Sequence, residues 1–383
     1  IFLYRETIRV PLIVKLPGAT GGGRRVAVPV QHIDLVPTVL ELAGIDRSAL
    51  GTELRGRSLL PVLGGTGELE PAPIYSESLS PRFHFGWAEL YAISDDRYRL
   101  IRAPKDELYD LQQDPRELTS ITADRPQVHQ AMRRALEDVK RGATITAPSA
   151  VSAADRERLA ALGYVGTQTG TLTETDADRL PDPKDRIETL KKYRRATDLA
   201  GTGQLDEAIG LFRELLSEDA GMTDVWLQLG NIYSRMGRIR DAVTAYREIV
   251  KRNPKDPAGL TAVAGALLTL GRIDDARAHA ELAVEVSPAI AHELLARIAL
   301  RQNQPDEARR HALLAGQADP GSPLPAFVEG AVRHQRGEYA AAIPHFLEAR
   351  KALDGRTVQM ADVNYYLADS LARLERYDEA LKY

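Results

Sequence analysis

The sequence predicts a multidomain chain of α+β/α class. A mixed α/β portion spans residues 1–165, a linker spans 166–183, and an all-α solenoid spans 184–383. Three observations support this. Up to about residue 125, short β-branched runs alternate with Gly/Pro turns and brief helical stripes. The stretch GTQTGTLTETDADRLPDP (166–183) then carries almost no apolar signal. Beyond it only helical periodicity remains, and a short motif recurs at a nearly constant interval.

The elements follow in order. RVPLIVKLPG (Arg9 to Gly18) is a β-branched apolar run closed by Pro17-Gly18, which predicts a buried strand. VAVPV (Val26 to Val30) alternates as a second strand. Asp34 is a suitable N-cap for a helix whose stripe is Val36, Val39 and Leu40, and Gly44 is a natural stop. A Gly/Pro-rich loop covers 63–73. IYSES, WAELYAI and YRLIRA read as strands, with Asp95-Asp96 as the turn between the last two. Residues 126–141 form an amphipathic helix with Val128, Met132, Leu136 and Val139 on one face. Residues 152–162 form another, with Ser152 and Asp155 placed like a capping box.

In the solenoid, GQLDEA, GRIRDA, GRIDDA, NQPDEA, GEYAAA and ERYDEA line up. Their final alanines (Ala208, Ala242, Ala276, Ala308, Ala342, Ala380) are 34, 34, 32, 34 and 38 residues apart. Pro344 lies inside a predicted helix, where proline costs about 3 kcal/mol against alanine, so a local kink is expected.

Composition excludes several classes. With 44% apolar and 27% charged residues, the chain has enough apolar material for a large core without covalent staples. It contains no cysteine, which rules out a disulfide scaffold, a thiolate zinc site and a cysteine nucleophile within this stretch. A net charge of -4 argues against broad nucleic-acid binding. No apolar run approaches the ~18 residues needed to span a bilayer. The first residues read as the middle of a folded domain, so any targeting segment would lie upstream.

Two resemblances sharpen the reading. Trp226, Leu229, Gly230, Tyr233, Ala242, Tyr246 and Pro254 stand at the signature offsets of tetratricopeptide repeats. The array resembles that family, with about five complete repeats and a truncated sixth. LYRETIRVPLIVKLPG, PVQHIDLVPTVLELAGI, LRGRSLLPVL and ELYDLQQDPRELTSI, in this order, resemble the C-terminal part of sulfatases in the alkaline-phosphatase-like superfamily. LAALGYVG (159–166) resembles a segment that often closes such domains.

The sulfatase resemblance implies an α/β hydrolase of sulfate esters that uses calcium and a formylglycine nucleophile. Phosphodiesterases and phosphonate hydrolases share the scaffold. The family's acidic metal ligands and its Cys/Ser-x-Pro-Ser-Arg motif match nothing here. SLSPR (Ser78 to Arg82) has those residue types in the wrong order. The fragment is therefore expected to be inactive alone, and a non-catalytic scaffold remains the alternative.

Each candidate residue also has a structural reading. His32 and Asp34 have the spacing of a metal pair, or of a strand end beside a cap. Gly21 to Gly23 with Arg24 and Arg25 lead into a strand and so make a plain connection rather than a phosphate loop. TETDADRLPDPKD (173–185) alternates acids but lacks the glycine and glutamate of a calcium loop. Arg82, His84 and Trp87 gather basic and aromatic character for the rim of an anionic-substrate pocket, or pack in a hairpin. In the array, the repeat register sends Leu227, Asn231, Thr261, Arg297, Phe327 and Tyr365 to a concave groove for a protein or peptide partner. Of the residues that clamp a peptide carboxylate in some repeat proteins, Asn231 alone has a counterpart here.

Overall fold

Four short strands between residues 74 and 110 close into one antiparallel sheet: β1 (Ile74–Ser78), β2 (Leu90–Ser94), β3 (Tyr98–Arg102) and β4 (Glu107–Asp110), paired in that order. The computed structural model describes residues 2–51, 54–65, 67–141, 179–353 and 360–383. Two units are distinguished, one of 1–145 with 174–187, the other of 146–173 with 188–383.

In the first unit the β2–β3 turn is set by Asp95. Its Oδ1 accepts from the backbone N–H of Arg97 (2.8 Å) and Tyr98 (2.6 Å), an Asx turn that brings Ile93 opposite Leu100. Both sheet faces are covered, so β2 is buried throughout. Leu90, Ala92, Ile101 and Tyr109 pack with Leu3 on one side. Tyr91, Ile93, Leu100 and Leu108 meet Met132 and Leu136 on the other. The last two belong to a helix over Pro126–Lys140, where the sequence places it. Strand β4 was not anticipated. Its four residues are too few to show a period, and Asp110 ends it by accepting from Gln112 N–H (3.0 Å) and from Arg97 (2.7 Å).

Four further helices precede the sheet or interrupt it. In chain order the first unit has α1 (Arg5–Ile8), α2 (Leu35–Leu42), α3 (Leu60–Gly64), α4 (Ser80–Phe85) and α5 (Pro126–Lys140).

Three expectations are corrected here. RVPLIVKLPG is not a buried strand. Residues 9–16 belong to no strand or helix and have no ladder partner among the described residues, and Ile13 is 89% exposed. VAVPV likewise pairs with nothing described. Helix α2 forms and Gly44 follows it at φ +68°, but its stripe is not buried: Val36 and Val39 are exposed, while Pro37 and Thr38 face inward. In each case the apolar period is present, and no described element lies over it. The predicted helix at 152–162, the LAALGYVG segment and most of the predicted linker lie outside the described residues.

The second unit is helical. α6 (Ile187–Gly201) pairs with α7 (Leu205–Glu218), α8 (Thr223–Arg235) with α9 (Ile239–Arg252), and α10 (Pro257–Thr269) with α11 (Ile273–Ala283). α12 (Pro288–Arg301) pairs with α13 (Pro305–Ala318), α14 (Leu324–Gln335) with α15 (Tyr339–Ala352), and α16 (Met360–Arg373) with α17 (Tyr377–Ala380). The alanines of the recurring motif explain themselves: Ala208, Ala242, Ala276, Ala308 and Ala342 are fully buried where helices meet. Helix α15 runs through Pro344 from Tyr339 to Ala352.

Candidate functional site

Helix α4 and the residues after it hold Arg82, His84 and Trp87. Gly86 ends the helix at φ +68° and turns the chain so that Trp87 enters the core. Trp87 is 1% exposed and stacks on Phe85 with ring centroids 4.5 Å apart. Arg82 and Glu89 form a buried ion pair at 3.6 Å. The expected rim is therefore corrected for two of its three members. An indole is large and apolar, so it anchors the sheet instead of lining a mouth. His84 remains half-buried beside Phe85.

The His32–Asp34 spacing serves the backbone. Asp34 is 1% exposed, and its carboxylate accepts from the N–H of Gln31 (2.9 Å) and of Arg57 (3.0 Å). It thus joins two loops and does not cap α2 through its side chain. Gly21 and Gly23 adopt positive φ in an exposed connection that also holds Arg24 and Arg25. Among the described residues no group of three or more acidic or histidine side chains could hold a metal ion.

Sequence reasoning missed a buried polar centre at the N-terminus of the first unit. Arg99 donates to Leu3 O (2.5 Å) and Ser94 Oγ (2.8 Å), and pairs with Glu117 at 3.2 Å. Glu117 in turn accepts from Arg5 N–H (2.6 Å). Burial works against both charges, lowering the guanidinium pKa and raising that of the carboxylate. Their mutual contact keeps the pair. No local motif marks it, because the partners are far apart in sequence and meet only through the sheet.

In the second unit the groove candidates are distributed over the first helix of each pair. Asn231 is exposed and accepts from Tyr246 O–H (2.8 Å). Leu227 is half-buried, and the Thr261 hydroxyl is spent on Pro257 O (2.7 Å). Arg297, Phe327 and Asp362 come together. Arg297 bonds Glu293 (3.1 Å) and Asp362 (2.6 Å) and lies 5.7 Å from the Phe327 ring. Glu293, Arg297, Leu324, Phe327 and Asp362 line one concavity. Because two carboxylates hold the guanidinium, it is not offered to a ligand carboxylate. Tyr365 is 67% exposed, whereas its neighbour Tyr366 is packed against Phe327, Phe346 and His334.

A ladder of side-chain bonds ties successive first helices together. Arg235 donates to Ala200 O (3.2 Å), Arg301 to Leu268 O (2.5 Å) and Gln335 to Leu300 O (3.1 Å), each from the same repeat position. Each carbonyl lies in the last turn of its helix and also accepts from the backbone N–H three residues on, so the side chain adds a second bond.

Residues 199–265, 266–323 and 329–383 match family models described as tetratricopeptide repeat. Residues 1–142 match the model described as N-sulphoglucosamine sulphohydrolase, C-terminal. The N-acetylglucosamine-6-O-sulfatase of Bacteroides thetaiotaomicron is 31% identical over 128 residues, covering 31% of this chain and 22% of that protein. The choline-sulfatase of Rhizobium meliloti is 30% identical over 141 residues, covering 36% and 26%. Among solved structures, the type IV pilus biogenesis factor PilW aligns at 17% identity and a TM-score of 0.43, over 51% of this chain and 90% of that one.

The second unit is a helical repeat solenoid and the first a small antiparallel sheet dressed with helices. More particularly, the chain carries a sulfatase C-terminal domain followed by tetratricopeptide repeats. It spans about a quarter of the length of the curated sulfatases it matches. Among the described residues no helix is long and apolar enough to cross a membrane.

Proposed function

We propose that residues 1–142 complete a sulfatase-like hydrolase of sulfuric esters, and that the repeats recruit a protein or peptide partner to it. One observation carries the reading: the uncovered apolar surface of residues 10–45. Val10, Leu12, Ile13 and Val14 are all exposed, and residues 10–14 make no backbone–backbone hydrogen bond among the described residues. A run exposed on both faces is the pattern of an inner strand of a mostly parallel sheet, which is apolar on both sides. Leu35, Val36, Val39 and Leu42 of α2 add a helix face of the same kind. A catalytic α/β lobe outside residues 1–383 is the occupant that accounts for a bare apolar segment and a bare helix face together.

Calcium and a formylglycine, implied by the sulfatase resemblance, do not fit the residues present. The chain has no cysteine, and the described residues offer no cation cluster. On this reading both belong to the other lobe.

The test uses protein that includes that lobe, assayed with aryl sulfate and aryl phosphate esters. Hydrolysis of the sulfate ester, lost in Ile13→Asp, is the expected result. Preference for the phosphate ester would replace the sulfatase reading by the phosphoesterase one. Turnover by purified residues 1–383 alone would overturn the assignment of the chemistry to another lobe.

A further inference from the structure

The predicted linker (166–183) ends in residues that the structure places on the first unit. Pro181 O accepts from Ala88 N–H (2.9 Å), just ahead of β2. Asp182 is buried, and its two oxygens accept from Lys184 N–H (2.9 Å) and Lys105 N–H (3.0 Å). Lys184 Nζ donates to Lys105 O and pairs with Glu107 at 3.4 Å. Lys105 Nζ returns the contact to Asp185 at 2.7 Å. Glu107 also accepts from Tyr4 O–H (3.1 Å), which links the segment to the chain's first residues. A 3-10 turn over Pro183–Arg186, started by Asp182 and stiffened by Pro183, holds these groups in register.

The sequence pattern hides this. PDPKD looks like solvated spacer because three of its five residues are charged and its only apolar side chains are prolines. Its hydrogen bonds instead depend on Lys105, about 80 residues away. Lys105 lies in the loop between β3 and β4, where the backbone N–H and O both need partners from outside the ladder. Asp182 and Lys184 supply one each, and they do so with charged groups, which strengthens both bonds.

We propose that residues 180–186 are a strap that fastens the chain back on to the sulfatase-type unit, so that the boundary between the modules falls at Ile187 and not within 166–183. Among the described residues, the first unit includes α5 and, after it, residues 180–186. Separation of the repeats from the unit then requires the strap to detach, and a break anywhere in 142–178 does not by itself free them.

Amide hydrogen exchange on the full chain tests this. In the native sequence the Lys105 and Ala88 amides are protected. Asp182→Ala should speed exchange at Lys105 about tenfold or more, the factor expected for one charge-assisted hydrogen bond, while Ile93 and Leu100 in the sheet stay protected. Should Asp182→Ala also unprotect the sheet, Lys184→Ala serves instead. It leaves the Asp182 bond to Lys105 N–H in place and removes the contacts to Lys105 O and Glu107. Lys184→Ala should speed exchange at Ala88 while the sheet stays protected; unchanged exchange at Lys105 and Ala88 in Asp182→Ala, or at Ala88 in Lys184→Ala where that variant is used, would overturn the strap.

Discussion

Gly230 lies under the ring of Tyr246. A Cβ at Gly230 would sit 2.3 Å from Tyr246 Cε1, and at the same offset a Cβ at Gly330 would sit 2.7 Å from Phe346 Cε1. The glycine in the first helix of a repeat and the aromatic in its second are therefore one packing device used twice. Close approach of the helices is what allows the ring to be buried.

Gly230→Ala should destabilise the array by about 1–3 kcal/mol, the usual cost of forcing an extra methyl into a packed core. Gly210, also inside a helix but with nothing near its missing Cβ, supplies the control. Gly210→Ala should stabilise by up to about 1 kcal/mol through helix propensity. Urea unfolding of the two variants beside the parent chain checks the opposite signs.

Acid should weaken the pair α12–α13. His292 and His311 meet Nδ1 to Nδ1 at 3.1 Å, and Arg310 lies 3.1 Å from His311 Nε2. The guanidinium can only donate, so His311 carries its proton on Nδ1 and donates it to His292. Burial, then the charge of Arg310, pushes His311 from an ordinary 6.5 down to about 4, and His292 is lowered for the same reasons. Glu307 opposes the shift of His311 and Arg277 adds to it. Between these values the unfolded chain binds more protons, so stability is complete above about pH 6.5 and falls as pH drops toward 4. The loss is on the order of 2 kcal/mol. Thermal unfolding from pH 7 to 4 should show it, and His311→Gln should flatten the profile.

Breaking the buried pair Arg99–Glu117 on one side should cost more than removing both charges. Glu117→Ala leaves a buried guanidinium without its counter-charge, a loss of about 3–5 kcal/mol. The double variant Arg99→Met/Glu117→Ala should recover part of it. Chemical denaturation of the three proteins gives the coupling; equal losses in the single and double variants would contradict it.

Leu136 is fully buried between α5 and the sheet. Leu136→Ala should destabilise the first unit by about 2–5 kcal/mol. The exposed Val39→Ala should change stability of these residues by less than about 0.5 kcal/mol. If a catalytic lobe covers α2, the same Val39→Ala should cost more in protein that includes that lobe, and calorimetry of both forms separates the cases.

Strands β1 to β3, the turn at Asp95, helix α5 and the repeat helices were all legible in the sequence, because each is set by neighbours a few residues away. The apolar period at 9–18 and 34–43 was legible too, but its meaning was not. Period alone says that a face wants cover, and nothing in it says whether the cover lies within these residues. Trp87 was misread for the reverse reason: an amphipathic residue near a loop looks like a site until its burial is known.

The sequence by itself determined the two modules, the repeat interval and the small residues where helices cross, since these depend on local spacing and side-chain size. Tertiary structure alone decided the rest. It buried Arg99 against Glu117, closed Arg297 between Glu293 and Asp362, and drew Asp182 on to Lys105. The physical reason is that charged groups are soluble anywhere along a chain. They become structure only where the fold removes water and sets a distant partner within hydrogen-bond reach.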